Sequence, residues 1–302
     1  MVKRMLQINK ILIPLDGSTE AESVLPYLRD IALKFGSRVY ILGVGIGRKT
    51  RRVNRLIEDY INRTANKLHS DHIKAEPVIS YGVAAEKILD FTAEKEIDLI
   101  IMATHGRSGI TRWWMGSVAE KVISEATASV LLIRSQRTGT MEAADKLNFP
   151  HKILAPLDGS DIGESALPYA EAIAANSRAS ICLLQVISPP GTAEANLLGG
   201  PDWRKFVKAM HDAGESYLKG VAERLGGKNI KVAYEVATGD PADKIVEYAA
   251  DKGVSMIAMS THGRTGIARW VLGSVADKVL HGAKKPILLV RSPKMVAIKP
   301  RG

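Results

Sequence analysis

Along the first 133 residues the spacing of hydrophobic positions changes period repeatedly. Residues 11–15, 39–44, 73–79, 97–103 and 130–133 are short, mostly apolar runs. Runs of that length bounded by turn residues predict buried strands. Between them, apolar residues fall at helical spacing: Val24, Leu28 and Ile31; a basic amphipathic stretch over 50–68; Ala85, Ile88, Leu89 and Thr92; and residues 117–126. Thr19, with Glu22 three residues on, predicts a capping box at the start of the first helix, and Gly36 its end. The predicted order is β-α-β-α-β-α-β-α-β. Such alternation implies right-handed crossovers and a parallel sheet with helices on both faces. The run over 97–103 has the near-continuous apolar character of a central strand covered on both sides.

The pattern then repeats. Lys10-Ile11-Leu12-Ile13-Pro14-Leu15-Asp16-Gly17-Ser18 returns 142 residues later as Lys152-Ile153-Leu154-Ala155-Pro156-Leu157-Asp158-Gly159-Ser160. Residues 103–117 return 157 residues later as 260–274, with 10 of 15 positions identical. The 15-residue difference predicts an insertion in the second copy, placed around 189–201. A domain-sized period implies two homologous domains, over 1–135 and 151–302, joined by a polar linker over 136–150. Each is expected to be an α/β domain with a parallel sheet and helices on both faces.

In a parallel sheet of this kind, ligands sit beyond the carboxyl ends of the strands at a topological switch point. The two best-repeated segments follow the first and fourth predicted strands. After the fourth, Ala103-Thr104-His105-Gly106 leads, nine residues past that glycine, to Gly116-Ser117. Ser260-Thr261-His262-Gly263 leads in the same way to Gly273-Ser274. Glycine permits close backbone approach, and N–H groups at a helix start suit an anion. The expected phosphate donors are the backbone N–H groups of Gly116, Ser117 and Val118, and those of Gly273, Ser274 and Val275. Arg107 and Arg264 add a charged fork at the loop entrance. The competing reading is structural. Ser117-Val118-Ala119-Glu120 is itself a capping box, and Ser274-Val275-Ala276-Asp277 is close to one. No G-x-x-x-x-G-K-[ST] occurs, and Gly43-Val44-Gly45-Ile46-Gly47 lacks the G-x-G-x-x-G spacing.

At these residues the chain resembles the universal stress protein family in its tandem form, over about residues 10–135 and 151–292. The family's nucleotide-binding members carry G-x-x-G, nine residues, then G-[ST]. Gly106, Gly116-Ser117, Gly263 and Gly273-Ser274 match; the first glycine is Ala103 in one half and Ser260 in the other. The resemblance implies two α/β, Rossmann-like nucleotide-binding domains, each with a five-stranded parallel sheet and helices on both faces. It places Pro14 and Asp16, with Pro156 and Asp158, along adenine and ribose. It gives Val44 and Val186 a backbone contact to adenine; the family's usual histidine just before them is Gly43 and Gln185 here. It also implies pairing through the last strand, which a tandem chain makes internally as a pseudo-dimer by setting 130–133 beside 287–290; a homodimer of the chain is a further expectation. The implied cofactor is ATP, with any Mg²⁺ held by its phosphates and no metal site of the protein's own.

Composition narrows the classes. The sequence holds 302 residues, 46% hydrophobic and 25% charged, close to globular averages. One cysteine, Cys182, excludes an internal disulfide and a cysteine zinc site. No apolar stretch is long enough to span a bilayer, and the expected location is the cytoplasm. The net charge of +10 suggests an anionic partner. Aromatics at 5% and the lack of a nucleic-acid motif argue against nucleic acid. Arg48, Lys49, Arg51, Arg52 and Arg55 form a basic cluster, read as a solvated helix face. His105 and His262 read as turn residues, and Trp113, Trp114 and Trp270 as loop anchors. The expected function is nucleotide binding in stress response or signalling, with at most slow hydrolysis. The alternatives are a nucleotide-free interaction scaffold, a weak ATPase or autokinase, and a cyclic AMP binder.

Overall fold

The computed structural model of the chain describes residues 6–45, 51–104, 115–134, 149–188, 202–227, 229–261 and 272–291. The first half runs β1 (Lys10–Pro14), α1 (Thr19–Glu22), α2 (Leu25–Phe35), β2 (Arg38–Gly45), α3 (Arg51–Ser70), β3 (Lys74–Tyr81), α4 (Ala84–Lys95), β4 (Leu99–Ala103), α5 (Ser117–Glu125) and β5 (Ser129–Ile133). The second runs β6 (Lys152–Pro156), a 3₁₀ turn (Gly163–Ala166), α6 (Leu167–Ser177), β7 (Ser180–Ile187), α7 (Asp202–Gly226), β8 (Val232–Thr238), α8 (Pro241–Asp251), β9 (Met256–Ser260), α9 (Ser274–Gly282) and β10 (Ile287–Val290). The α/β order matches the periodicity. Arg38 and Ser180, which start β2 and β7, lie 142 residues apart. Gly82 and Gly239, which follow β3 and β8 with φ of 134° and 146°, lie 157 apart. The additional residues therefore fall between β7 and β8; residues 189–201 themselves lie outside the described residues.

The ten strands form one sheet in the order β3-β2-β1-β4-β5-β10-β9-β6-β7-β8. Within each half every pairing is parallel. The halves meet where β5 and β10 pair antiparallel, Leu131 opposite Leu288. Successive strand residues feed opposite faces: Ile11 and Ile13 enter one core, Leu12 the other. Both cores draw residues from both halves, so each runs unbroken across the β5–β10 pair. That burial on two faces is why the inner strands read as continuous apolar runs, while the edge strands β3 and β8 are mostly exposed or half-buried.

The first helix is broken, not continuous. Pro26 cannot donate to the Glu22 carbonyl, so α1 ends and α2 begins again at Leu25. Its cap is Ser18, not Thr19: Ser18 Oγ accepts from the Ala21 N–H at 3.1 Å. Phe149 and Pro150, at the end of the segment read as linker, are buried. Phe149 packs edge-on against Tyr27 at 4.8 Å between ring centroids. Its N–H donates to Asp30 at 2.7 Å, and its carbonyl accepts from Lys34 Nζ at 2.7 Å.

Candidate functional site

In each half the order of strands reverses between β1 and β4, or between β6 and β9, which is the switch point expected to hold a ligand. A cavity of about 300 Å³ lies there in the first half, beyond the carboxyl ends of β1, β2 and β4. That volume is at the low end for small-ligand pockets. Seven residues expected at the site line it together: Pro14, Asp16, Val44, Ala103, Gly116, Ser117 and Val118. Gly106, Arg107, Gly263 and Arg264, with His105, His262 and the three tryptophans 113, 114 and 270, lie outside the described residues. So do Arg48 and Lys49 of the basic cluster.

The turn after β1 is built by its own side chains. Gly17 has φ of 82°, a conformation that favours glycine, and its counterpart Gly159 has 83°. The Ser18 N–H and Oγ both donate to Asp16 Oδ1, at 2.9 and 2.6 Å. Ser160 makes the same pair of bonds to Asp158, at 3.0 and 2.7 Å. The carboxylate at the cavity is thus held by the helix cap next to it. Behind the turn stand Tyr60 and Tyr217, in equivalent places on α3 and α7. Burial, foremost, and then Glu22 push the Tyr60 hydroxyl above its ordinary range. Burial and then Glu164 do the same to Tyr217, whose hydroxyl donates to Glu164 at 2.9 Å.

The start of α5 differs from the capping box expected there. Its N-cap is Gly116, with no side-chain capping bond, and Ser117 is already the first helical residue. The capping box over Ser117–Glu120 does not form. Gly273 likewise caps α9 without a side-chain bond. One expected donor is spent within the protein: the Gly116 N–H donates to the Thr104 carbonyl at 2.9 Å, and Gly273 to Thr261 at 2.8 Å. The Thr104 N–H in turn donates to Ile133 at 3.0 Å. The Glu120 N–H bonds back to Gly116, so Ser117, Val118 and Ala119 are the N–H groups that precede the first intrahelical bond.

The rest of the wall is apolar: Leu42, Ile88 and Met102 face the cavity beside Val44. Strand patterning marks Leu42 and Met102, and helical spacing marks Ile88, as core, not as lining. The repeat carried the missing signal. Applying the two shifts, 12 of the 15 lining residues recur unchanged in the second half; the exceptions are Ala21 to Gly163, Ala84 to Pro241 and Ala103 to Ser260. A larger open hollow, about 440 Å³, lies at the opposite ends of β2 and β3, among Arg38, His69, His72 and Lys74, away from these motifs.

Gly43 and Gly45 serve packing. A Cβ on Gly43 would lie 2.7 Å from Ile61 and 2.8 Å from Ile57, so the glycine lets α3 settle on the sheet. In the second half the sizes exchange. Gln185 takes the strand position, and Gly214 of α7 takes that of Ile57; a Cβ there would lie 2.8 Å from Gln185 Oε1. Cys182 is buried within β7. No described helix is long and apolar enough to cross a membrane.

Comparison with known proteins agrees with this architecture. The chain is 33% identical over 147 residues to a universal stress protein of Methanocaldococcus jannaschii, covering 49% of this chain and 85% of that protein. It is 25% identical over 245 residues to one from Mycolicibacterium smegmatis, covering 80% of this chain and 74% of that one. Among solved structures, a universal stress protein from Archaeoglobus fulgidus superposes with a TM-score of 0.70 at 19% identity, covering 95% of this chain and 99% of that one. A putative universal stress protein from Pseudomonas aeruginosa gives 0.71 at 17%, covering 96% and 95%. These two likenesses concern the fold. The family model described as "Universal stress protein family" matches twice, over residues 47–134 and 150–291, and the chain belongs to that family.

Proposed function

We propose that the chain binds an adenine nucleotide, ATP, in the cavity of the first half and at the equivalent place in the second, and that binding serves stress response or signalling. Residues 1–135 and 151–302 would be the two binding units, joined by 136–150 and paired as an internal pseudo-dimer through β5 and β10. The observation that carries this reading is the recurrence of 12 of 15 lining residues, including a helix start with no side-chain cap. An uncapped helix start with the positive end of its dipole facing a cavity suits phosphate. In the first half Leu42, Val44, Ile88 and Met102 would take the base, and Asp16 would accept from ribose hydroxyls. Ser117, Val118 and Ala119 would donate to phosphate. Among the described residues, no group of three or more His, Cys, Asp or Glu is placed to hold a metal ion. A cation accompanying the nucleotide would take its ligands chiefly from the phosphates. Calorimetric titration of the nucleotide-stripped chain with ATP, AMP and cyclic AMP tests the reading. Saturable binding, tightest for ATP, is expected; no heat at millimolar ligand overturns it.

A further inference from the structure

The strand that ends each half carries an arginine just beyond it. Arg134 follows β5 and Arg291 follows β10, at equivalent positions of the repeat. Each reaches across the β5–β10 pair. Arg134 Nη1 donates to the carbonyls of His281 and Ala283, at 3.3 and 3.2 Å, where α9 ends. Arg291 Nη2 donates to the carbonyls of Ile123, at 3.2 Å, and Ser124, where α5 ends. The last carbonyls of a helix have no intrahelical partner. A guanidinium there satisfies two of them and sets a positive charge at the negative end of the dipole.

The opposite ends of these two helices are the uncapped starts at the candidate sites. The strand ends also hold the site backbone. Ile133, next to Arg134, accepts from Thr104, and Val290, next to Arg291, accepts from Thr261, both at 3.0 Å. Each arginine therefore sits one residue from the backbone of its own half's site while gripping the helix of the other's.

We propose that Arg134 and Arg291 are positioning residues for the two nucleotide sites, each acting on the site of the opposite half. Arg291 fixes and polarises α5, whose start faces the cavity of the first half; Arg134 does the same for α9, at the equivalent place in the second. The proposal rests on the nucleotide reading above. It makes each site complete only when the other half is docked.

The test uses the intact chain with one site blocked at a time. Ser117 and Ser274 are exposed first residues of α5 and α9. Ser117→Glu or Ser274→Glu places a carboxylate where phosphate would bind without disturbing the core. In the Ser274→Glu background, which leaves the first site, Arg291→Met weakens ATP binding about threefold to tenfold, and Arg134→Met leaves it within about twofold. In the Ser117→Glu background the two arginines exchange roles. Lysine at either position restores part of the loss. A merely structural clamp would lower both affinities together, or lower stability with affinity untouched; either result overturns the proposal. If an Arg→Met variant fails to accumulate, the lysine variant and amide exchange without ligand decide. Arg291→Lys should speed exchange over Ser117–Glu125 more than over Ser274–Gly282; equal rates overturn the proposal. A parent chain that binds no ATP overturns the nucleotide reading and this proposal with it. A parent that binds ATP with an uncrossed pattern overturns this proposal alone.

Discussion

The exchange of sizes between Gly43–Ile57 and Gln185–Gly214 makes a quantitative prediction next to the cavity. An alanine at Gly43 puts a Cβ 2.7 and 2.8 Å from atoms of Ile61 and Ile57, so both side chains must move. In an open strand position, Gly→Ala would stabilise by about 0.5–1 kcal/mol. Here overpacking dominates, and Gly43→Ala should cost about 1–3 kcal/mol. Ile57 is 8% exposed, and Ile57→Ala should cost about 2–5 kcal/mol as a truncation. The Cγ2 that the truncation removes is one of the atoms in the clash. The double variant should therefore lose less than the sum, by about 0.5–1 kcal/mol, within the range measured for contacting residues. Urea denaturation of the four proteins reads this cycle, with unchanged m-values. Because Val44 follows Gly43 and lines the cavity, Gly43→Ala alone should also weaken ligand binding, and Ile57→Ala added to it should recover part of the loss. Stabilisation by Gly43→Ala, or strict additivity, would refute the packing argument.

Two further predictions concern the docking of the halves and ionisation. Phe149→Ala removes a ring that is 1% exposed and packs on Tyr27, and should cost about 3–5 kcal/mol in the same denaturation assay; a loss under about 1 kcal/mol would remove Phe149 from the shared core. Five of the eight tyrosines, Tyr27, Tyr60, Tyr169, Tyr217 and Tyr248, are held above their ordinary pKa chiefly by burial, Tyr248 to about 12. A raised folded pKa means the stabilising contribution is complete below pH 10 and is lost as pH rises through the folded values. Absorbance titration of the folded chain should show these five ionising above pH 10, and the denatured chain all eight near about pH 10; superimposable curves would contradict their burial.

The fold was legible because both sheet faces are covered, so strands read as apolar runs and helices as 3.6-residue periods. The repeat then showed that the same α/β order occurs twice along the chain. What failed were choices between adjacent side chains. Ser18 and Thr19 are both good caps, and only the hold of Asp16 on Ser18 selects the former. Ser117 with Glu120 has the letters of a capping box, yet Gly116 takes the cap position, because its N–H is tied to Thr104 and its carbonyl receives Glu120. The apolar lining at Leu42, Met102 and Ile88 was hidden because a residue at the carboxyl end of a buried strand, or on the buried face of a helix, looks like core whether it faces protein or cavity. Arg134 and Arg291 carried no local signal; their role depends on strands 157 residues apart meeting antiparallel.

The central claim is that the repeated helix starts at Ser117 and Ser274 hold the phosphates of one nucleotide in each half. Equilibrium dialysis of labelled ATP against the stripped chain tests it most directly. The account predicts two equivalents per chain, one in Ser117→Glu, one in Ser274→Glu and none in the double variant. Full binding retained by the double variant would contradict it.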